Sequence, residues 1–147
     1  GLNPRQNRNI PPLNYQKVYS IKDDFPELEI IINGGIKNIS EVKNHLNYVD
    51  GVMLGRAAYD DPFMLNDIDS EIYANTKVEI CRRDLLTEYL DYVHIMTKKG
   101  YDPKIMLKHI FGLKKGEKDA KRFRVKVAEI MNSSSLVENK DELLSMV

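Results

Sequence analysis

The chain has 147 residues, of which 42% are hydrophobic, with 22 basic and 22 acidic side chains and one cysteine. This composition is sufficient for one packed domain or two small ones. It excludes wholesale disorder, a disulfide framework and a multi-cysteine zinc site, so we expect no metal. No apolar run approaches the roughly 20 residues of a membrane span, and we expect no membrane partner.

The first half of the chain alternates predicted helices and strands. Residues 1–12 show no periodicity and predict a loop, and a start at Gly1 rather than Met indicates a segment cut from a longer chain. Further along, apolar residues recur at helical spacing or run continuously, as in strands buried on both faces of a parallel sheet. The predicted helices span 13–25 and 40–47, and the predicted strands span 28–33 and 51–55. Repeated units of this length indicate a parallel α/β sheet or barrel.

Two local signals describe these first helices further. Val18, Ile21 and Phe25 recur at spacings of three and four residues, which predicts that this face of the first helix is apolar and buried. Ser40 is of the residue type that caps helix N-termini, so we predict that it caps the second helix.

After residue 67 the predicted strands stop and the pattern becomes helical. Thr76 and Glu79 have the spacing of a capping box at the start of a long helix that ends at Gly100. One apolar stripe follows at helical spacing and includes Cys81, which we therefore predict to be a buried, inert thiol. The stripe consists of Val78, Cys81, Leu85, Tyr89, Tyr92 and Met96.

Three further helices complete a predicted helical bundle. Asp102 and Pro103 begin the first of them, because proline is favoured at the first helical position. The second covers about 118–131, with Ala120, Phe123, Val127 and Ile130 predicted to face inward. Three consecutive serines separate it from a short last helix.

The balanced net charge hides an uneven distribution along the chain. Residues 1–75 carry seven basic and 11 acidic side chains, a net charge of −4, whereas residues 76–147 carry 15 and 11, a net charge of +4. Residues 98–126 contain 11 basic and only three acidic side chains, a net charge of +8. Such asymmetry is typical of a surface that binds an anionic partner, although a solvated helix face produces the same pattern.

Glycines follow both predicted strands. Asn33-Gly34-Gly35 follows the first strand, and Gly55-Arg56 follows the second. In a parallel array these loops lie side by side, so their backbone N–H groups can approach one phosphate while Arg56 adds a guanidinium fork. Two ordinary strand-to-helix turns are the alternative. The pair of turns and the arginine together favour a phosphate site like that after the last two strands of a (β/α)8 barrel.

Several segments resemble the tRNA-dihydrouridine synthases, in particular the bacterial A subfamily. They occur in the expected order along nearly the whole chain, at 1–13, 25–28, 32–36, 49–59 and 109–113 with Gly116. These enzymes have an FMN-binding (β/α)8 TIM barrel followed by a helical tRNA-binding domain. The resemblance therefore implies that residues 1–68 are the C-terminal part of the barrel and residues 69–147 the helical domain.

The resemblance also implies a reaction and a set of site residues. In this family NADPH reduces FMN, and the flavin then reduces uridine in the D-loop of tRNA to 5,6-dihydrouridine. The implied FMN contacts are Asn33, Gly34, Gly35, Gly55 and Arg56. The implied tRNA contacts are Arg5, Arg8, Lys121 and Arg124. We expect a cytoplasmic protein, with an organelle as the alternative if the source is eukaryotic.

The resemblance places no catalytic residue in this chain, because the family's catalytic cysteine lies in an earlier barrel loop. His45 and His94 have no carboxylate or cysteine at ligand spacing, and neither predicts a catalytic role. We therefore expect the chain to be inactive alone and to act at most as a tRNA-binding fragment. The phosphate motif by itself also fits another FMN-dependent TIM-barrel oxidoreductase acting on a small molecule, but the basic helical part with Arg5 and Arg8 favours RNA.

Overall fold

The computed structural model of the chain describes residues 3–9, 12–73, 80–133 and 136–147, without the side chains of 7–9, 133 and 136–138. It divides into two compact units, Gly1–Gly55 and Arg56–Val147. The first unit ends before the boundary predicted at 68/69, and the assignment of 1–68 and 69–147 to a barrel part and a tRNA-binding domain stays a prediction. No helix among the described residues is long and apolar enough to cross a membrane.

The first unit is built around two short parallel strands. Its elements are α1 (Pro4–Asn9), α2 (Tyr15–Asp24), β1 (Ile31–Asn33), α3 (Ile39–His45) and β2 (Gly51–Met53). Ile31 pairs with Gly51 and Asn33 with Met53, which confirms the predicted parallel pairing. Because α3 connects the two strands, they form one β–α–β unit, the repeating unit of a parallel barrel.

The start of the chain is a helix where a loop was predicted. The Gln6 N–H donates to Asn3 Oδ1 at 2.8 Å, and the Asn3 N–H donates to Gln6 Oε1 at 3.1 Å. This reciprocal pair is a capping box, with Pro4 at the first helical position, where its missing N–H costs nothing. The loop prediction is wrong over Pro4–Asn9 because a capped single turn needs no apolar periodicity.

Helix α3 begins one residue earlier than predicted, and its N-cap is Asn38 rather than Ser40. Asn38 Oδ1 accepts a hydrogen bond from the Glu41 N–H at 2.9 Å. The Glu41 carboxylate in turn accepts from the Lys37 N–H at 2.7 Å. The prediction at Ser40 is wrong because two residues of capping type lie close together. Asn38 has the extended backbone conformation of an N-cap residue, whereas Ser40 already lies inside the helix.

The core of the first unit is smaller than the apolar pattern predicts. Ile32 is 2% exposed, whereas its neighbour Ile31 is 59% exposed, so burial on both faces of the strand is wrong for this chain. Successive strand residues point to opposite faces, and only the face with Ile32 is covered. On α2 the buried residue is Tyr19, while Phe25 is exposed. The buried hydrophobic residues are Tyr19, Ile32, Ile36, Val42 and Val49.

In the described part of the second unit, every regular element is a helix. Its α-helices are α4 (Arg56–Asp60), α5 (Met64–Glu71), α6 (Arg82–Lys98), α7 (Pro103–Leu107), α8 (Ala120–Ser133) and α9 (Leu136–Leu144). One 3₁₀ turn, Lys108–Ile110, follows α7. The core contains Leu86, Leu90, Val93, Leu107, Ile110, Leu113, Phe123, Val127, Ile130, Leu143 and Leu144. Burial of Phe123, Val127 and Ile130 on α8 is confirmed, whereas Ala120, also predicted to face inward, is half-buried.

The buried stripe of α6 lies one position away from the predicted one. Leu86 is fully buried, whereas Leu85, which was predicted to be inward, is 40% exposed. The helix begins at Arg82, and Cys81 is its exposed N-cap residue, so the prediction of a buried thiol is wrong. Because Leu85 and Leu86 are adjacent, the apolar spacing fits a stripe through either residue. Packing against the other helices determines which of the two is buried. The capping box predicted at 76–79 lies outside the described residues.

Candidate functional site

The turn after β1 requires glycine at both of its central positions. Gly34 has φ +118° and Gly35 has φ +68°, values that residues with a Cβ rarely adopt. A Cβ on Gly34 would lie 2.9 Å from Leu13 Cδ2, and one on Gly35 would lie 2.7 Å from Leu13 Cδ1. Leu13 is exposed and the end of its side chain can move away, so it is the positive φ values that select glycine in the Asn33-Gly34-Gly35 turn.

In this turn the Gly34 carbonyl oxygen accepts a hydrogen bond from a tyrosine, whereas the Gly35 N–H is available as a donor. The Tyr15 hydroxyl donates a hydrogen bond to the Gly34 carbonyl oxygen at 2.8 Å. The Gly35 N–H donates to no acceptor among the described residues. Because the turn is only partly buried, that N–H can serve as a donor to an anion.

The turn after β2 leaves the sheet at the same edge. Asn33 and Met53 are paired in the parallel register, so the residues that follow each strand emerge side by side. Gly55 differs from the first two glycines because its φ is not positive, and the nearest atom to an added Cβ is Met53 Sδ at 3.8 Å. The fold therefore does not require glycine there, and a ligand would explain the missing side chain. Arg56 is the next residue; it is exposed and begins α4.

A buried aromatic group supports the first turn. The Tyr19 hydroxyl lies 2.6 Å from Nδ1 of His45, which is itself buried. The ring of Tyr15 meets the His45 ring edge-on, with centroids 4.5 Å apart, and Tyr48 stacks on Tyr19 at 4.4 Å. Burial raises the pKa of Tyr19, and the neighbouring phenols of Tyr48 and Tyr15 add to the effect. Sequence reasoning missed this group because its members are up to 33 residues apart.

The second unit contains a cleft of about 380 Å³ with a basic lining. Lys108, Lys115 and Arg124 line it together with Tyr59 and Asp60. The Tyr59 ring is half exposed and meets the ring of His109 edge-on, with centroids 5.6 Å apart. Cations next to an exposed aromatic ring suit a nucleic acid, since phosphates contact the cations and a base can stack on the ring.

A close backbone contact shapes this cleft. A Cβ added to Gly112 would lie 2.4 Å from the backbone oxygen of Asp60, so only glycine permits the approach of α4 to this segment. Phe111 and Gly116 also line the cleft. Sequence reasoning found the basic stretch that includes Lys108 and Lys115 but did not select these two residues.

The basic side chains of the second unit divide into two classes. Arg82 is structural: its Nε donates to the Leu113 carbonyl at 3.1 Å, and its guanidinium lies 3.7 Å from the centre of the Phe63 ring. In contrast, Lys121 and Arg124 are exposed on α8 and form no ion pair with any described residue. They are three residues apart and so share one helix face. Arg124 also lines the cleft.

The remaining predicted RNA contacts lie on α1 in the first unit. Arg5 is exposed there. Arg8 is in the same helix, but its side chain lies outside the described part of the chain. Among the described residues there is no cluster of three or more histidine, cysteine or acidic side chains that could hold a metal ion.

A parallel β–α–β unit with a glycine-containing turn after each strand and a helical unit with a basic cleft together define an α/β protein that also has a helical unit. The family described as Dihydrouridine synthase (Dus) matches residues 3–146. Because this match covers nearly the whole chain, the chain belongs to the dihydrouridine synthase family, and the resemblance found in the sequence is confirmed.

Curated relatives support the same assignment. The tRNA-dihydrouridine(20/20a) synthase of Haemophilus ducreyi is 42% identical over 129 residues, which cover 88% of this chain and 40% of that protein. The protein of the same name from Pseudomonas putida is 41% identical over 84% of this chain and 37% of its own length. That of Synechocystis sp. is 40% identical, with the same two coverages. The chain therefore spans about two fifths of the length of these relatives.

Proposed function

We propose that the full-length protein containing this chain is a tRNA-dihydrouridine synthase that reduces uridine to 5,6-dihydrouridine in the D-loop of tRNA. The observation that carries the proposal is the pair of glycine turns at one edge of a parallel sheet. In this reaction FMN, reduced by NADPH, supplies the hydride. The residues of this chain hold the flavin phosphate and the tRNA, and we place the protein in the cytoplasm.

The residues of the sheet edge fit the phosphate of FMN. The Gly35 N–H has no acceptor in the part of the chain that the structure describes, and Gly55 lacks a side chain at a position where the fold would accept one. Arg56 follows directly and can form two parallel hydrogen bonds to phosphate oxygens. We therefore assign the flavin phosphate to Asn33, Gly34, Gly35, Gly55 and Arg56.

Exposed cations provide the proposed tRNA contacts. We assign this role to Arg5, Arg8, Lys121 and Arg124, and the cleft lining adds Lys108 and Lys115. Such contacts bind the phosphate backbone and shape of RNA without reading its sequence. The target uridine must also leave its stack to reach a flavin. A flavoenzyme acting on a small molecule needs none of these cations, which favours tRNA as the substrate.

We expect the 147-residue chain alone to bind tRNA without reducing it. Its one cysteine, Cys81, is the exposed N-cap residue of α6, and the resemblance gives it no catalytic role. We propose that the longer protein supplies the catalytic cysteine.

The test uses the purified full-length protein with FMN, NADPH and an unmodified tRNA transcript. After nuclease digestion, mass spectrometry should detect a nucleoside heavier than uridine by two hydrogens, located in the D-loop. A transcript with cytidine in place of the D-loop uridines is the matched control and should give no product. NADPH oxidation with a small enone, but none with tRNA, would contradict the proposal and favour the small-molecule enzyme.

A further inference from the structure

We propose that Tyr15 is a positioning residue that orients the Gly34–Gly35 peptide toward the phosphate of the flavin. The inference rests on the proposed function and adds to it a residue outside the assigned phosphate contacts. Tyr15 is the first residue of α2 and lies 19 residues before Gly34. Its hydroxyl donates to the Gly34 carbonyl oxygen at 2.8 Å, so the contact acts on the backbone of the turn.

The geometry of a peptide bond transmits this contact to the neighbouring donor. In a trans peptide unit the C=O and the N–H point in opposite directions. The Gly34–Gly35 bond is trans, and holding the Gly34 oxygen toward Tyr15 therefore directs the Gly35 N–H away from α2. That N–H has no acceptor among the described residues and is the donor that we assign to phosphate.

Two consecutive glycines make such an anchor necessary. A peptide unit between two glycines rotates more freely than one between any other two residues. The Gly35 N–H therefore has several accessible directions. Each direction other than the productive one reduces affinity for the phosphate, because the binding-competent state is then only partly populated. A hydrogen bond to the Gly34 oxygen raises the population of one orientation before the ligand arrives.

The position of the Tyr15 hydroxyl is itself set by packing away from the turn. Its ring lies edge-on to His45, at an interplanar angle of 71°. His45 is buried and is held by the Tyr19 hydroxyl at 2.6 Å. Leu13 packs against both glycines from the same part of the chain. The Tyr15 hydroxyl is therefore held in place by contacts within and between α2 and α3.

The substitution Tyr15→Phe tests the proposal, because it keeps the ring and removes only the donor. In the full-length protein, dissociation constants for FMN and for riboflavin are measured by quenching of flavin fluorescence. FMN should bind about three- to tenfold more weakly, as expected for one lost hydrogen bond, while riboflavin, which has no phosphate, should change by less than about twofold. Tyr48→Phe is the matched control, since Tyr48 belongs to the same aromatic group and its hydroxyl has no hydrogen-bond partner among the described residues. This control should change neither constant.

The possible outcomes separate the inference from the function on which it rests. Unchanged FMN binding in Tyr15→Phe, or equal losses for FMN and riboflavin, would overturn the positioning role and leave the phosphate site intact. A wild-type protein that does not prefer FMN to riboflavin would overturn both.

A second measurement does not depend on the folding of the variant. In the wild-type protein, the amide proton of Gly35 should shift downfield in the NMR spectrum when FMN is added, because it gains a charged acceptor. Riboflavin should produce a smaller shift. Equal shifts with the two flavins would also overturn the proposal.

Discussion

The Tyr19 hydroxyl on α2 and the Nδ1 atom of His45 on α3 form a buried hydrogen bond of 2.6 Å. This bond connects two consecutive helices of the first unit across 26 residues of chain. Tyr48 stacks on Tyr19, and Tyr15 contacts His45, so the bond lies at the centre of the aromatic group that supports the glycine turn. Ionisation of Tyr19 is therefore expected to affect the stability of this unit.

Alkaline pH should destabilise the protein through Tyr19. Burial raises the pKa of this phenol above its ordinary value of 10.0. A pKa raised in the folded state contributes stability that is complete below the unfolded value and is lost as the pH rises through the folded value. The melting temperature should thus fall above about pH 10, and more steeply in the wild type than in Tyr19→Phe. If the melting temperatures of the wild type and of Tyr19→Phe decreased equally with rising pH, this assignment would be contradicted.

Acid pH should act through Asp50. Its Oδ2 accepts a hydrogen bond from the Ile30 N–H at 2.8 Å and pairs with Lys22 Nζ at 2.8 Å. These two contacts hold the pKa of the carboxyl below its usual value. A lowered pKa contributes stability that is present above the unfolded value and is lost as the pH falls through the folded value.

The melting temperature should therefore decrease between about pH 5 and about pH 2 more in the wild type than in Asp50→Asn. The matched control is Asp23→Asn, because Asp23 lies in α2 and has no partner among the described residues. This control should keep the wild-type pH profile. A wild-type profile in Asp50→Asn as well would show that the pair with Lys22 contributes no pH dependence.

The glycines should divide into structural and ligand-related positions. Gly35→Ala should lower the free energy of unfolding by about 1–2 kcal/mol, because it places a Cβ on a residue with φ +68°, in the left-handed region. Gly55→Ala should leave the unfolding free energy within about 0.5 kcal/mol of wild type, yet weaken FMN binding in the full-length protein. Urea unfolding and flavin titration measure the two effects. A strongly destabilised Gly55→Ala would contradict the division.

Two adjacent leucines test which stripe of α6 is buried. Leu86→Ala should cost about 2–5 kcal/mol of unfolding free energy, since it leaves a cavity in the core of the second unit. Leu85→Ala removes the same atoms from a site that is 40% exposed and should cost less than about 1 kcal/mol. Denaturant unfolding measures the unfolding free energy of both variants. Equal costs would favour the stripe predicted from sequence.

The exposed pair on α8 should contribute to tRNA affinity through charge. Replacing Lys121 and Arg124 together by alanine should weaken tRNA binding and lower the slope of log K against log salt by between about 1 and about 2. Lys98 and Lys99 form the matched control, because they are exposed, belong to the same basic stretch and change the net charge equally. Filter binding at several salt concentrations should show a smaller loss for this control. Equal losses would indicate a non-specific effect of net charge.

Local sequence patterns were sufficient for both strands, for several of the helices and for part of the candidate site. The β-branched run before Asn33 predicts a strand, and the glycines after both strands predict turns at one sheet edge; the parallel pairing of β1 and β2 agrees with this. The spacing of apolar residues also predicted the inward face of α8, with Phe123 and Val127. These features depend on residues within one or two turns of each other, where spacing alone determines which side chains share a face.

The sequence by itself therefore determined the family, the alternation of helices and strands from α2 to β2, and the glycines that follow both strands. Only the tertiary structure decided that Leu86 rather than Leu85 is buried, that Tyr15 binds the Gly34 carbonyl, and that Tyr19 pairs with His45. The reason is that a hydrogen bond between residues 19 or 26 positions apart depends on how elements pack, and periodicity within one element carries no information about its neighbour.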